Sequence, residues 1–215
     1  VEVAGKHLLF DPFITPNELA SKIDIEKIPA DYILISHGHQ DHVADVEAIA
    51  KRTGAQIIGC FELVGWFAAN KGIENRHPMN TGGEAKFDFG TVKYVSAIHS
   101  STLPDGSDAG VAGGFVVRTE EGSFYYAGDT ALTYDMKFIG EREQLSFAFL
   151  PIGDNFTMGI SDAIIAADFI NCKEIIGMHY DTFPYIVLDK SEATDAFGRA
   201  GKNLHLMEIG GSVDL

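Results

Sequence analysis

Three histidines and an aspartate crowd into six residues of the stretch ISHGHQDH, Ile35 to His42. The chain has eight histidines and about 17 aspartates in 215 residues, so H-x-H-x-D-H arises by chance on the order of 10⁻³ times per chain of this composition. Its setting restricts the fold further. DYILIS, just before it, is a continuous apolar run of strand length and reads as a buried strand. DHVADVEAIAKRTG, just after, carries Val43, Val46, Ile49 and Ala50 at helical spacing and stops at Gly54. A buried strand that delivers a polar loop into a helix presents ligands at its carboxyl end, as α/β architectures do. In extended backbone His37 and His39 point the same way, whereas Asp41 and His42 are adjacent at the helix start and diverge. The simplest arrangement is two metal ions side by side, one on His37 and His39, the other on Asp41 and His42.

Two half-sites of this kind need completing, because a catalytic zinc takes about three protein ligands plus a water. The strand-end context recurs three times. His99 ends VKYVSAIHS, Asp129 ends SFYYAGDT directly after Gly128, and His179 ends EIIGMHY. These three are the candidates. The remaining histidines lack that context: His7 lies in a hairpin (VEVAGKHLLFDPF), His77 precedes Pro78 in a loop, and His205 alternates within NLHLMEIG. All three read as structural or solvent-facing.

Elsewhere AQIIGC, AKFDFGTVKYVSAIHS, GGFVVRTEEGSFYYAGD and SFAFLPIGD read as strands. FELVGWFAANKG, SDAIIAADFINC (with Ser161 as N-cap) and SEATDAFGRAG read as helices. Strands in runs, with helices between some of them, predict two sheets covered by helices on their outer faces. The length suits one domain over residues 1–215.

Net charge is −15, with no Lys/Arg cluster to offset it, which argues against nucleic acid and anionic membrane as partners. No apolar run approaches the ~18 residues of a membrane helix. Cys60 and Cys172 sit in apolar surroundings and read as reduced, buried thiols of a cytoplasmic protein. The chain opens at Val1 in what reads as mid-strand, which suggests that an upstream strand is missing.

The ligand order His37, His39, Asp41, His42, His99, Asp129, His179 resembles the metallo-β-lactamase superfamily. More narrowly, DPFITPN, SHGHQDHVAD, AGDTALTYDMKFIGE, LPIGDNFTMG and MHYDTFP look like the uncharacterised metal-dependent hydrolase family that is similar to ascorbate-6-phosphate lactonases. The resemblance implies an α+β fold, a four-layer αββα sandwich of two mixed sheets with outer helices and a dinuclear site at one edge. It assigns His37, His39 and His99 to one ion, Asp41, His42 and His179 to the other, and Asp129 to both. True β-lactamases of the superfamily use a cysteine ligand, and neither Cys60 nor Cys172 is placed to serve. Di-iron oxygen-reducing relatives carry a glutamate where this chain has His39. Antibiotic cleavage and redox chemistry are therefore disfavoured.

The expected cofactors are two divalent ions, zinc first, with Mn, Fe or Ni served by the same His/Asp set. A metal-bridging hydroxide is the expected nucleophile. Five neutral imidazoles and two carboxylates around two M²⁺ leave a net charge near +2, which favours a small anionic ester, lactone or phosphoester. Asp41 is either a ligand only or also a proton carrier. Asp11 is either a partner for a ligand imidazole or a turn residue before Pro12. Asn155 and Thr157 either contact substrate or sit in a capping loop, and HSSTLPDGSDAGVAGG, after His99, is either a substrate loop or a floppy hairpin. The competing functions are a phosphodiesterase or RNA-processing nuclease, and a metal-binding or ligand-sensing protein with little turnover. Oligomeric state is left open.

Overall fold

Ala4 and Gly5 both take left-handed backbone (φ 50° and 68°). The tight turn they make folds β1 (Glu2–Val3) against β2 (Lys6–Phe10), the hairpin that the alternation predicts. In this computed structural model, which describes residues 1–215, β2 begins a run of parallel strands. They are β3 (Tyr32–Ile35), β4 (Gln56–Cys60) and β5 (Arg76–Met79), giving a sheet in the order β1-β2-β3-β4-β5. The second sheet begins with antiparallel β6 (Glu84–Phe87), β7 (Gly90–Ser96), β8 (Gly113–Thr119) and β9 (Gly122–Tyr126). It continues in parallel through β10 (Leu145–Pro151), β11 (Glu174–Met178) and β12 (Asn203–His205). Both sheets are mixed, as expected.

Alternation along β8 and β9 shows how the layers stack. Phe115, Val117, Phe124 and Tyr126 join a core with Leu8 and Ile33 of the first sheet, while Val116 and Tyr125 join a second core with Ala163, Ala166 and Phe197. One face of the second sheet therefore meets the first sheet and the other meets helices, because successive strand side chains point to opposite faces. Phe10 stacks on Tyr126 at 4.6 Å between the sheets. On the outer side of the first sheet, α3 (Phe61–Lys71) packs on β4 and β5, while α2 (Val46–Thr53) adds Val46 and Ile49 to the same core. The second sheet is covered by α4 (Asp135–Arg142), α5 (Ile160–Phe169) and α6 (Lys190–Arg199). This is the four-layer arrangement. No helix is long and apolar enough to cross a membrane. Cys60 and Cys172 are buried and unbonded.

Four local expectations are corrected. The helix after the motif is broken into α1 (Gln40–Val43) and α2, because Asp45 leaves the ladder. Its carboxylate accepts from Ile14 N (2.6 Å) and Thr15 N (2.9 Å), and its own N–H donates to Pro12 O (3.2 Å). His77 and Pro78 lie in edge strand β5 rather than a loop; an edge strand tolerates a residue without an N–H. Gly159, not Ser161, caps α5: its carbonyl accepts from Ala163 N, and Ser161 falls inside the first turn. The stretch that forms α4 carries no helical reading in the sequence, and NLHLMEIG pairs only at Asn203–His205.

The topology fixes where the candidate ligands can meet. β7 and β9 each run antiparallel to β8, and β9, β10 and β11 are parallel, so the carboxyl ends of β7, β9 and β11 share one edge. His99, Asp129 and His179 follow those three ends. Asp11 and His37 follow the parallel strands β2 and β3.

Candidate metal centre

His37 is fully buried, and its Nδ1 lies 2.9 Å from Ser36 Oγ, which leaves Nε2 facing His39 Nδ1 at 2.9 Å. His37, His39 and His99 each offer one donor atom, all within 4.8 Å of one another; Asp41, His42 and His179 form a second such group. Asp129 lies between the two. Its Oδ2 is 3.5 Å from His99 Nε2 in the first group, and 3.4 Å and 3.0 Å from His42 Nε2 and His179 Nε2 in the second. All seven candidates thus converge on one edge of the sandwich, in the grouping that the resemblance implies.

The donor set fits divalent cations. Two ligand atoms about 2.0–2.2 Å from one tetrahedral ion stand roughly 3.4 Å apart. The close donor pairs here stand 2.9–3.6 Å apart. His42 Nε2 and Asp129 Oδ1 are buried with no hydrogen-bond partner, an arrangement that a bound cation satisfies. A third overlapping group, Asp11 with His37 and His42, offers less. The Asp11 carboxylate is already saturated, accepting from Ser36 N (2.7 Å), Ser36 Oγ (2.6 Å) and Tyr126 OH (2.9 Å), with His42 Nδ1 at 2.9 Å. Asp11 therefore orients His42, one of the two roles left open for it, and does not complete a cage of its own. Its charge adds to the site, so two M²⁺ with Asp11, Asp41 and Asp129 leave +1 rather than +2.

Local backbone serves the same end. Gly128 has φ 61°, and a Cβ there would lie 2.7 Å from Ser36 Cβ and 2.8 Å from Gly113 O. Only glycine lets the chain pass this close and turn into Asp129. His179 itself takes φ 57°, and a Cβ on Gly153 would meet His179 O at 2.1 Å. Sequence reasoning missed Ser36, Tyr126, Thr130 and Ser100. Thr130 Oγ1 accepts from Ile98 N (3.0 Å) and so holds the approach to His99; Ser100 Oγ lies 3.2 Å from His39 Nε2. Ser36, Thr130 and Ser100 each had a signal, their places beside His37, Asp129 and His99; Tyr126 had none.

A cleft of about 540 Å³ opens on the site and includes His39, Asp41, His99, Ser100, Asp129 and His179 in its lining. No Lys or Arg lines it. Asn155 and Thr157 do not line it either; Phe156 between them does. The long stretch after His99 is packed rather than floppy: Leu103 and Ala109 are buried, and a Cβ on Gly38 would meet Ala109 Cβ at 2.4 Å. Neither cysteine reaches the site. Cys60 Sγ donates to Glu62 and Cys172 Sγ to the Glu174 carbonyl.

The charges of the ion-free protein divide by environment. Burial pushes His37, His39 and His99 down, His37 furthest. Burial also opposes protonation of His42 and His179, but Asp11 and Asp129 lift His42 well above its ordinary value, and Asp129 and Asp41 lift His179 to about 9. The same contacts overcome burial and hold Asp41 and Asp129 well below the usual carboxylate range. At neutral pH, then, two of the five imidazoles carry a proton that a metal must displace. Calorimetric titration of the ion-free protein, in buffers of differing ionisation enthalpy, is expected to show about two protons released per chain by the imidazoles at pH 7, with up to about one more from a water that the cations acidify. Above about pH 9, where His179 is already neutral, the imidazole share falls by about one. Release of fewer than about two protons at pH 7 would refute the assignment.

Residues 6–180 match the family described as beta-lactamase superfamily domain. The chain belongs to that superfamily. Within it, the chain is 55% identical along its whole length to a UPF0173 metal-dependent hydrolase of Flavobacterium johnsoniae, 95% of which it covers. It is 43% identical, with the same coverage, to the UPF0173 metal-dependent hydrolase YtkL of Bacillus subtilis. Among solved structures it is similar to Igni18, a metallo hydrolase of the archaeon Ignicoccus hospitalis, with a TM-score of 0.88 at 33% identity over 99% of this chain and 91% of that one. The chain is a metal-dependent hydrolase of the β-lactamase superfamily, with candidate His/Asp metal clusters at one edge of its two sheets.

Proposed function

We propose that this hydrolase holds two divalent cations, zinc first among the candidates, and cleaves a small ester, lactone or phosphoester. His37, His39 and His99 hold one cation, Asp41, His42 and His179 the other, and Asp129 is shared. The observation that carries the reading is the single Asp129 oxygen within 3.0–3.5 Å of imidazoles from both groups. Bound there, a cation pair supplies a water acidified towards neutrality and Lewis acids for the scissile and leaving oxygens. The chain's own residues supply the rest. Asp11 and Ser36 fix the rings of His42 and His37. Asp41 is the more open of the two ligand carboxylates, 22% against 3% exposed, and lines the cleft, so it is the proton carrier assigned here.

An anionic preference rests on the cations alone, since no basic side chain lines the cleft. That absence and the net charge of −15 weigh against a nucleic-acid strand as substrate. The test is to reload the ion-free chain with Zn²⁺, Mn²⁺, Fe²⁺ or Ni²⁺ and assay lactones, carboxylic esters and phosphodiesters. His39→Ala is expected to lower the turnover found by at least about 100-fold, with the circular dichroism spectrum kept. Full activity in that variant, or no turnover with any metal, would sink the proposal. Salt-sensitive RNA cleavage would point to a nuclease instead.

A further inference from the structure

The cleft has an apolar side that the catalytic reading does not use. Phe156, Phe183, Pro184 and Tyr185 line it together with the site's polar residues. Phe156 is 48% exposed and Tyr185 74%, although both are large aromatics beside a polar centre. Their rings meet edge to face at 6.1 Å, from two separate loops, and Phe183 packs against Phe13 at 6.2 Å. Both loops are tied down. Asp154 and Asn155 take left-handed backbone (φ 63° and 55°), Asp154 N donates to Met158 O (3.1 Å), and Met158 N donates to Thr130 O (3.1 Å), next to Asp129. On the other loop Asp181 N donates to Ile186 O (2.8 Å), Leu188 N donates to the Asp181 carboxylate (2.9 Å), and Ile186 is fully buried. The nearby cation Lys190 pairs with Asp181 at 3.1 Å and does not line the cleft.

We infer that Phe156 and Tyr185 form a specificity wall, and that the substrate carries an apolar alkyl or aryl group beside its scissile carbonyl. The inference rests on the hydrolase reading of the same site and names its substrate class. A polar, many-charged body such as a sugar phosphate would strip water against three aromatic rings and a proline and find no cationic side chain in return. An apolar group gains there what it loses in water.

The test uses the metal-loaded chain and γ-lactones with side chains from methyl to hexyl. kcat/KM is expected to rise roughly two- to fourfold per methylene over the first few, through KM rather than kcat. Tyr185→Ala and Phe156→Ala are each expected to flatten that slope, with losses that grow with chain length. Val187→Ala, on the same turn but outside the cleft lining, keeps it. A flat slope in the parent, or a loss in the variants that is equal for all lengths, overturns the wall. Calorimetry gives a second readout without turnover: benzohydroxamate is expected to bind at least about tenfold tighter than acetohydroxamate, and Tyr185→Ala to narrow the gap. If that preference holds while no ester or lactone is cleaved, the hydrolytic reading of these substrates fails and the wall stands. Equal binding of the two probes removes the wall whatever the activity.

Discussion

Replacing Asp129 with alanine is expected to leave the chain unable to hold a cation pair and to lower kcat/KM by at least about 10³-fold, ~4 kcal/mol of transition-state stabilisation. The size follows from position. Of the two proposed cation groups each imidazole belongs to one, whereas the Asp129 carboxylate lies within 3.5 Å of His99 on one side and of His42 and His179 on the other. Removing it subtracts a negative ligand from both clusters at once. It also removes a counter-charge that lifts His42 and His179, so their ordinary values should be partly restored in the ion-free variant. Elemental analysis of the loaded variant checks the prediction, with His39→Ala for comparison. His39→Ala should weaken one cluster and Asp129→Ala both. Two tightly held ions per chain in Asp129→Ala would show that the carboxylate is not shared.

Asp11→Asn should be the next most damaging change, for a different reason. Asp11 lies outside the cleft lining, so its loss acts first on folding. Four donors converge on its two oxygens: Ser36 N on Oδ1, and Ser36 Oγ, Tyr126 OH and His42 Nδ1 on Oδ2. An asparagine amide fits the same space and tolerates the φ of 42°. Whichever way it is turned, however, its NH₂ faces at least one donor. The side chain is 3% exposed, so water does not repair the mismatch. A broken buried pair of this kind costs about 3 kcal/mol or more, a fall in Tm of roughly 6–12 °C for a chain of this size. Metal affinity should fall about 10–100-fold as His42 loses its orienting partner. Thermal melts of ion-free and loaded protein separate the two effects. A Tm within a degree of the parent would mean that the network contributes little.

The seven candidate ligands were legible because each carried a local mark. His37 to His42 form a dense cluster from the end of a buried strand into a helix, and His99, Asp129 and His179 each follow the end of a strand. Strand ends can be read from apolar runs, since burial imposes its period on neighbouring residues. The parallel and antiparallel pattern then carries those ends to one edge. The helix break at Asp45 was not legible, because it depends on Ile14 and Thr15, about thirty residues upstream. Edge strand β5 was hidden by its proline.

By itself, then, the sequence determined which seven side chains are candidates for metal-ligand chemistry, and that strands and helices stack in layers around them. These are properties of composition and short-range period. The tertiary structure alone decided that Asp11, Ser36 and Tyr126 close a buried network behind His42, and that Phe156 and Tyr185 stand together over the cleft. Tyr126 reaches Asp11 across 115 residues. A contact of that span leaves no trace in local hydrophobic period, because it arises only when two sheets, each satisfied in its own pairing, are pressed face to face.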